Sequence, residues 1–242
     1  MRPHRFALRF AAFLLALASA SCSRNPQKIV WAWERPEDLR SLRGVETPVA
    51  FWAGTLHVGV AARIDFLPRT QALRLPASAA PRPVVRIETS RGVPTEALTP
   101  ALASSVAGEI IASTRRYHPT ALQIDFDAAR SERPFYRQVL HELRARLPHG
   151  TFLSMTALAS WCLHDRWLEG LPVDEVVPMF FRMGPDSGSI RAELARRSTL
   201  PEPMCRSALG LSIDEPLEAR PQARTVYYFN PRSWMKSDLE KI

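Results

Sequence analysis

The chain has 242 residues, of which 46% are hydrophobic and 23% charged, the make-up of an ordinary globular protein and not of a disordered one. Its formal charge of +8 falls to +5 once Arg2, Arg5 and Arg9 at the extreme N-terminus are set aside. The remaining arginines are scattered among acidic neighbours, as in Arg35-Pro36-Glu37-Asp38 and Arg130-Ser131-Glu132-Arg133, which describes a solvated basic surface and argues against a nucleic-acid partner.

Residues 1–22 read as a signal peptide. Arg2, Arg5 and Arg9 precede an apolar run over 10–18, and small residues then lead to Cys22. The run is shorter than the roughly 20 residues a spanning helix needs, so export is expected and a transmembrane helix is not. Ala18-Ser19-Ala20 suits an ordinary signal peptidase. Ser19-Ala20-Ser21-Cys22 resembles a lipoprotein box, with Ser19 where Leu, Val or Ile is usual. A lone cysteine at the end of a leader favours lipidation of Cys22. The mature chain is expected outside the cytoplasm, periplasmic or held on a membrane through that lipid alone. Residues 23–242 form one expected domain.

Eight β-rich runs follow, at 29–33, 49–56, 84–89, 121–127, 152–157, 175–183, 208–213 and 225–229. A β-hairpin insertion is expected at 59–75, after the second run, and an Ala- and Pro-rich loop at 76–83. Over 100–117, Leu102, Val106, Ile110 and Ile111 fall at helical spacing, with Thr99 as cap and Pro100 first. Over 134–147, Phe135, Val139, Leu140, Leu143 and Leu147 make one apolar stripe. Shorter helices are expected at 166–171, 189–197 and 234–242, whereas 215–224 is too short for one. Strand and helix in alternation imply parallel strands with crossover helices, hence an α/β fold. Eight strands point to a small (β/α)₈ TIM-like barrel, irregular or incomplete; an open doubly wound sheet is the alternative. In an oxidising compartment Cys162 and Cys205 are expected to pair, the alternative being two buried thiols.

The most informative segment is Ala121-Leu122-Gln123-Ile124-Asp125-Phe126-Asp127. Side chains alternate along a strand, so Gln123, Asp125 and Asp127 share the face turned into the barrel, near its C-terminal mouth. Two like charges at that spacing are costly unless they share a proton, meet a cation or do chemistry. Other strand ends add Glu34, Glu88, Arg182, Asp214, Glu215 and Asn230; any one alone is more often a cap or a solvated loop group, but their common placement at one rim favours a site. Trp31, Trp33, Trp52, Trp161, Tyr227, Tyr228 and Trp234 interleave with them, as a sugar cleft or a packed core would require. Asp127 with Asp214 or Glu215 would set two carboxylates across the mouth, the arrangement glycoside hydrolysis uses, with Asp125 tuning Asp127. Glu34, Glu88, Trp33, Trp161, Arg182, Tyr228 and Asn230 are then candidates for holding substrate. A metal on Asp125, Asp127 and His164 is a lesser alternative, and neither metal nor cofactor is expected. No Gly-rich phosphate loop, Gly-x-Ser-x-Gly elbow or His-Glu-x-x-His motif occurs.

Four blocks resemble the signatures of an uncharacterised bacterial family, the domain-of-unknown-function 3142 family. They are Trp31-Ala32-Trp33-Glu34-Arg35-Pro36-Glu37-Asp38-Leu39, Gln123-Ile124-Asp125-Phe126-Asp127-Ala128, Leu153-Ser154-Met155-Thr156-Ala157-Leu158-Ala159-Ser160-Trp161-Cys162 and Val177-Pro178-Met179-Phe180-Phe181-Arg182-Met183-Gly184. The resemblance implies a glycoside-hydrolase-like TIM barrel and brings no activity with it. More distantly, the Asp-x-Asp strand resembles the chitinase-type motif Asp-x-Asp-x-Glu, in which the Glu is the acid; here that position is Ala129. The expected function is therefore glycoside hydrolysis on polysaccharide or peptidoglycan-like glycan. The alternative is a catalytically inactive barrel that binds glycan or an envelope partner. Acids with unequal pKa values would favour the enzyme, and acids neutralised by Arg86 or Arg182 the binding module.

Overall fold

The computed structural model describes residues 25–42, 48–76 and 79–242. The leader, both cleavage motifs and Cys22 lie outside the described residues. In chain order the elements are β1 (Gln27–Ala32), β2 (Glu37–Asp38), β3 (Val49–Val58), β4 (Ile64–Pro68), β5 (Leu73–Arg74), β6 (Pro81–Thr89), α1 (Pro100–Thr114), β7 (Ala121–Asp125) and α2 (Arg133–Arg146). They continue with β8 (Phe152–Leu158), α3 (Ala159–His164), β9 (Glu175–Met179), α4 (Ser187–Leu194), β10 (Ala208–Ser212), β11 (Thr225–Phe229) and α5 (Lys236–Leu239).

Eight of the strands, β1, β3 and β6 to β11, run parallel, and β1 pairs with both β11 and β3, which closes the barrel. Each of the eight sequence runs falls on one of these strands. Alternation along the strands sorts their residues between two cores. Ile29, Trp31, Ala50, Val84, Val177, Ala208 and Tyr227 fill the lumen. Leu122, Ile124, Leu153, Met155, Val176 and Leu209 point outward into a larger layer under the helices. α1 and α2 deliver Val106, Ile110, Val139, Leu140 and Leu143 to that layer, each fully buried. A side chain of this size contributes about 1.5–3 kcal/mol on burial. Thr99 caps α1, its Oγ1 accepting from the Leu102 N–H at 3.2 Å.

Trp31 is the plug of the lumen, and it fixes a neighbour. A Cβ on Gly210 would stand 2.9 Å from the Trp31 ring and 3.2 Å from the Pro178 carbonyl, so β10 passes the indole only as glycine.

Three local expectations are corrected. The segment after the second barrel strand does not stand apart as its own hairpin. β3 is long enough that its first half pairs with β1 while its second half pairs antiparallel with β4, and β5 pairs with β2. The helix expected at 166–171 is a turn. The helix is α3, directly on the end of β8, because Trp161, Cys162 and Leu163 form its buried face. α4 and α5 are shorter than their sequence windows, and no helix covers 215–224. Cys162 on α3 is bonded to Cys205, their Cα atoms 5.9 Å apart. The loop between them spans 43 residues, and closing it constrains the unfolded chain by about 4 kcal/mol.

Candidate active site

The inward face of β7 builds the site from the lumen upward. Gln123 is a joint: its Oε1 accepts from Trp31 Nε1 at 2.7 Å and its Nε2 donates to Ser154 Oγ at 3.2 Å. Asp125, one step nearer the mouth, is buried and accepts from Thr156 Oγ1 at 2.7 Å. Arg86 of β6 brings Nη1 to 3.9 Å from Asp125 Oδ2, while its Nε lies 2.8 Å from Glu88 Oε1. Asp127 stands just past the end of β7, open to the cleft.

Burial pushes the Asp125 carboxyl up to about 6, and Asp127 adds to the rise, while Thr156 and Arg86 pull against it. Asp127 is raised as well: the enclosing walls push it up, Arg86 draws it down and Glu88 pushes it up further. Both acids are thus held above the ordinary carboxylate range, and a carboxyl so raised keeps its proton nearer to neutral pH, where it can act as a donor.

These acids open into a cleft of about 300 Å³ at the C-terminal mouth. Its opposite wall is aromatic. Phe181 stacks on Phe229 at 5.2 Å and 6°, Trp33 meets Phe229 edge-on at 6.3 Å, and Trp31 meets Phe181 edge-on at 6.2 Å. Arg182, Met179 and the exposed Asp186 also line it, together with Leu158, Ala159, Ser160, Met183 and Ile190.

Arg182 has a left-handed backbone, φ 50°. Its own N–H donates to Glu215 Oε2 at 2.9 Å, and its Nη2 donates to Asp214 Oδ2 at 3.3 Å. Asp214 also accepts from Ser212 Oγ. Asp214 and Glu215, expected as the carboxylate across from Asp127, are therefore turned to Arg182 and do not line the cleft.

The structure gathers Trp31, Trp33, Asp125, Asp127 and Arg182 in one cleft and puts other candidates elsewhere. Trp161 is buried outside the barrel, edge-on to Trp167 at 4.8 Å and covered by Arg133. Tyr228 points outward, because alternation on β11 turns Tyr227 and Phe229 inward. Asn230 is buried against Asp238, its Nδ2 donating to Oδ2 at 3.0 Å. Glu88 holds Arg86 and approaches His57 at 3.5 Å, and Glu34 is exposed beyond the cleft lining. Trp52 and Trp234 are buried. His164 pairs with Glu193 at 2.7 Å instead of meeting the aspartates. Among the described residues no group of three or more His, Cys, Asp or Glu side chains is placed to hold a metal.

Sequence reasoning missed Thr156, Met179, Phe181, Asp186 and Phe229. The period-2 rule contains the signal for Met179, Phe181 and Phe229, since each has the parity of an inward neighbour, Val177 or Tyr227. Asp186 lies in a loop and carries no such signal.

Comparison with known proteins locates this architecture. No family model matches the chain, and no curated protein sequence does. Among solved structures, a GH18 chitinase from Pseudoalteromonas aurantia superposes with TM-score 0.55 at 10% sequence identity, over 86% of this chain and 94% of that one. The chain has the fold of that chitinase. A protein described as chitinase A from Streptomyces coelicolor matches with TM-score 0.50 at 11% identity, over 77% and 75% of the two chains. The Bacillus megaterium spore cortex-lytic enzyme SleL matches with TM-score 0.50 at 12% identity, over 79% of this chain and 52% of its own. At these identities the likeness describes the backbone, and the chemistry of the cleft has to be read from its own residues. At the position of the motif's missing acid, Ala129 is exposed, and its N–H donates to Glu132 Oε2 at 2.6 Å. Glu132 also accepts from Thr89 Oγ1, so it ties the turn before α2 to β6 and stays out of the cleft lining.

Proposed function

We propose that this protein is an exported glycan hydrolase with Asp127 as its proton donor. The observation that carries the reading is the Asp125–Asp127 pair, two acids of raised pKa at the C-terminal mouth, where enzymes of this architecture keep their active sites. The aromatic wall of Trp33, Phe181 and Phe229 gives a sugar ring a flat face to lie on. Asp127 protonates the leaving glycosidic oxygen, the buried Asp125 beside it sets its electrostatic surroundings, and Asp186, the third carboxylate of the cleft lining, takes the proton of the attacking water. Neighbours described as chitinases and as a spore cortex-lytic enzyme support a polysaccharide or peptidoglycan-like substrate. The leader sequence supports a place outside the cytoplasm, with Cys22 as lipid attachment site, and the four sequence blocks support membership of the domain-of-unknown-function 3142 family.

A second reading, glycan binding without cleavage, has its own support. Ala129 carries no carboxyl, and Arg182 engages the two acids expected opposite Asp127. Hydrolysis of a panel of cell-envelope and exopolysaccharide glycans by residues 23–242, with Asp127→Asn beside it, separates the two. Turnover present in the parent and lost in the variant supports the hydrolase. Absent turnover with glycan bound by both forms moves the reading to the binding module, and absence of both overturns the two together.

A further inference from the structure

We infer that the cleft selects a sugar bearing a free carboxylate and that Arg182 reads it. The inference rests on the glycan reading and adds the substrate class. A non-glycine residue in the left-handed region is strained and persists only where its surroundings impose it. Here they do: Glu215 holds the Arg182 N–H, Asp214 holds one edge of the guanidinium, and Gly184 two residues on is also left-handed, φ 63°. The turn sends the side chain back over Phe229, Cζ 5.8 Å from the ring centre, where it lines the cleft. The side chain is 53% exposed; of the five N–H donors of its guanidinium, Nη2 donates to Asp214 and Nε lies 3.9 Å from Glu215 Oε1, while Nη1 makes no hydrogen bond among the described residues.

A second guanidinium shares the same ring. Arg35 Cζ lies 5.7 Å from the Phe229 centre, with Nη1 donating to the Asn230 carbonyl at 3.0 Å. The mouth thus sets Asp125 and Asp127, with Arg86 beside them, on the β7 side, and two guanidiniums on the Phe229 ring of the aromatic wall. A sugar laid on that wall presents its glycosidic oxygen to Asp127 and a ring substituent to Arg182. A hydroxyl or acetamide takes one donor of the fork, whereas a carboxylate can take two in parallel and brings the opposite charge. The formal charge of +5 that residues 23–242 carry favours approach of an acidic polymer.

The test is calorimetric binding of alginate, oligogalacturonate and hyaluronan hexasaccharides to residues 23–242, each beside its carboxyl-reduced form, with chitohexaose as the neutral reference. At least one acidic hexasaccharide is expected to bind about tenfold tighter than its reduced form. That preference shrinks as salt rises from roughly 0.05 to 0.5 M. Arg182→Gly, which suits a φ of 50°, removes the preference, and Arg182→Lys restores part of it. The salt titration of the unaltered protein gives the answer even where a variant fails to fold. Equal affinity for acidic and reduced forms, or a preference that survives Arg182→Gly, overturns the inference and leaves the glycan reading standing. Binding of none of the sugars, chitohexaose included, overturns the glycan reading and this inference with it.

Discussion

Each end of the barrel lumen holds a buried carboxylate beside a hydroxyl and an arginine. At the N-terminal end, Glu175 accepts from Tyr227 Oη at 2.7 Å, and Arg82 Nη1 donates to the same Oη at 3.3 Å. Burial raises Glu175, and Tyr227 and Arg82 draw it back. Burial and Glu175 together push the Tyr227 hydroxyl up, so it stays a donor. At the mouth the hydroxyl is Thr156 and the cation Arg86, but there are two acids, and the nearest guanidinium nitrogen is 3.9 Å from Asp125. The same groups form a closed structural network when one acid meets one donor and one cation. They leave an unsettled charge, and a proton to give, when a second acid is added next to open space.

The sharpest way to break that comparison is at Asp127. On the hydrolase reading Asp127→Asn is expected to lower turnover by about 10²–10⁴-fold while leaving the melting temperature near that of the parent, because the side chain opens to the cleft. A variant that loses fold and turnover together would put Asp127 in the structural class with Glu175.

Asp125→Asn is expected to cut activity and raise stability at neutral pH. The folded carboxyl titrates at about 6 against an ordinary 3.8, so the fold binds this proton more tightly than the unfolded chain does. The stability tied to it is complete below the unfolded value and is lost as pH rises through about 6. The Asn variant removes that loss, a gain of no more than about 3 kcal/mol. Melting curves of parent and variant are expected to converge near pH 4 and separate by pH 7; a constant gap would show that Asp125 does not titrate in this range.

At the opposite end Tyr227→Phe leaves Glu175 without its hydroxyl donor and is expected to cost about 1–3 kcal/mol in chemical denaturation. On the glycan reading, affinity should hold, since Tyr227 lies in the lumen below the cleft lining, packed on Trp31 at 4.9 Å. A drop in affinity equal to that of a cleft variant would erase the distinction between the two ends.

Much of this architecture was legible in residue patterns. The eight β-rich runs are the barrel strands, Thr99 and Pro100 start α1, and the two cysteines of the domain are bonded. The inward face of β7 was legible for the same reason, because the period of a strand needs no partner to be read. Trp161, Tyr228 and Asn230 show where that reading stops. An aromatic or amide at a strand end is equally suited to the lumen, the outer layer or a buried cap, and one residue of register decides among them. Asp214 and Glu215 have the right chemistry at the right strand end, yet their partner was decided by a left-handed turn at Arg182, thirty-odd residues earlier in the chain.

Local chemistry by itself determined the strands, the main helices and the paired aspartates, since these depend on neighbours two to four residues apart. Closure of the barrel decided the rest. Parallel strands distant in sequence bring Trp33, Asp127, Phe181 and Phe229 to one mouth, and only that encounter sets how deeply an acid is buried, which cation reaches it and which aromatic faces it. Desolvation and charge pairing act through space, so the raised pKa of Asp125 and Asp127 is a property of the folded barrel and not of the segment that carries them.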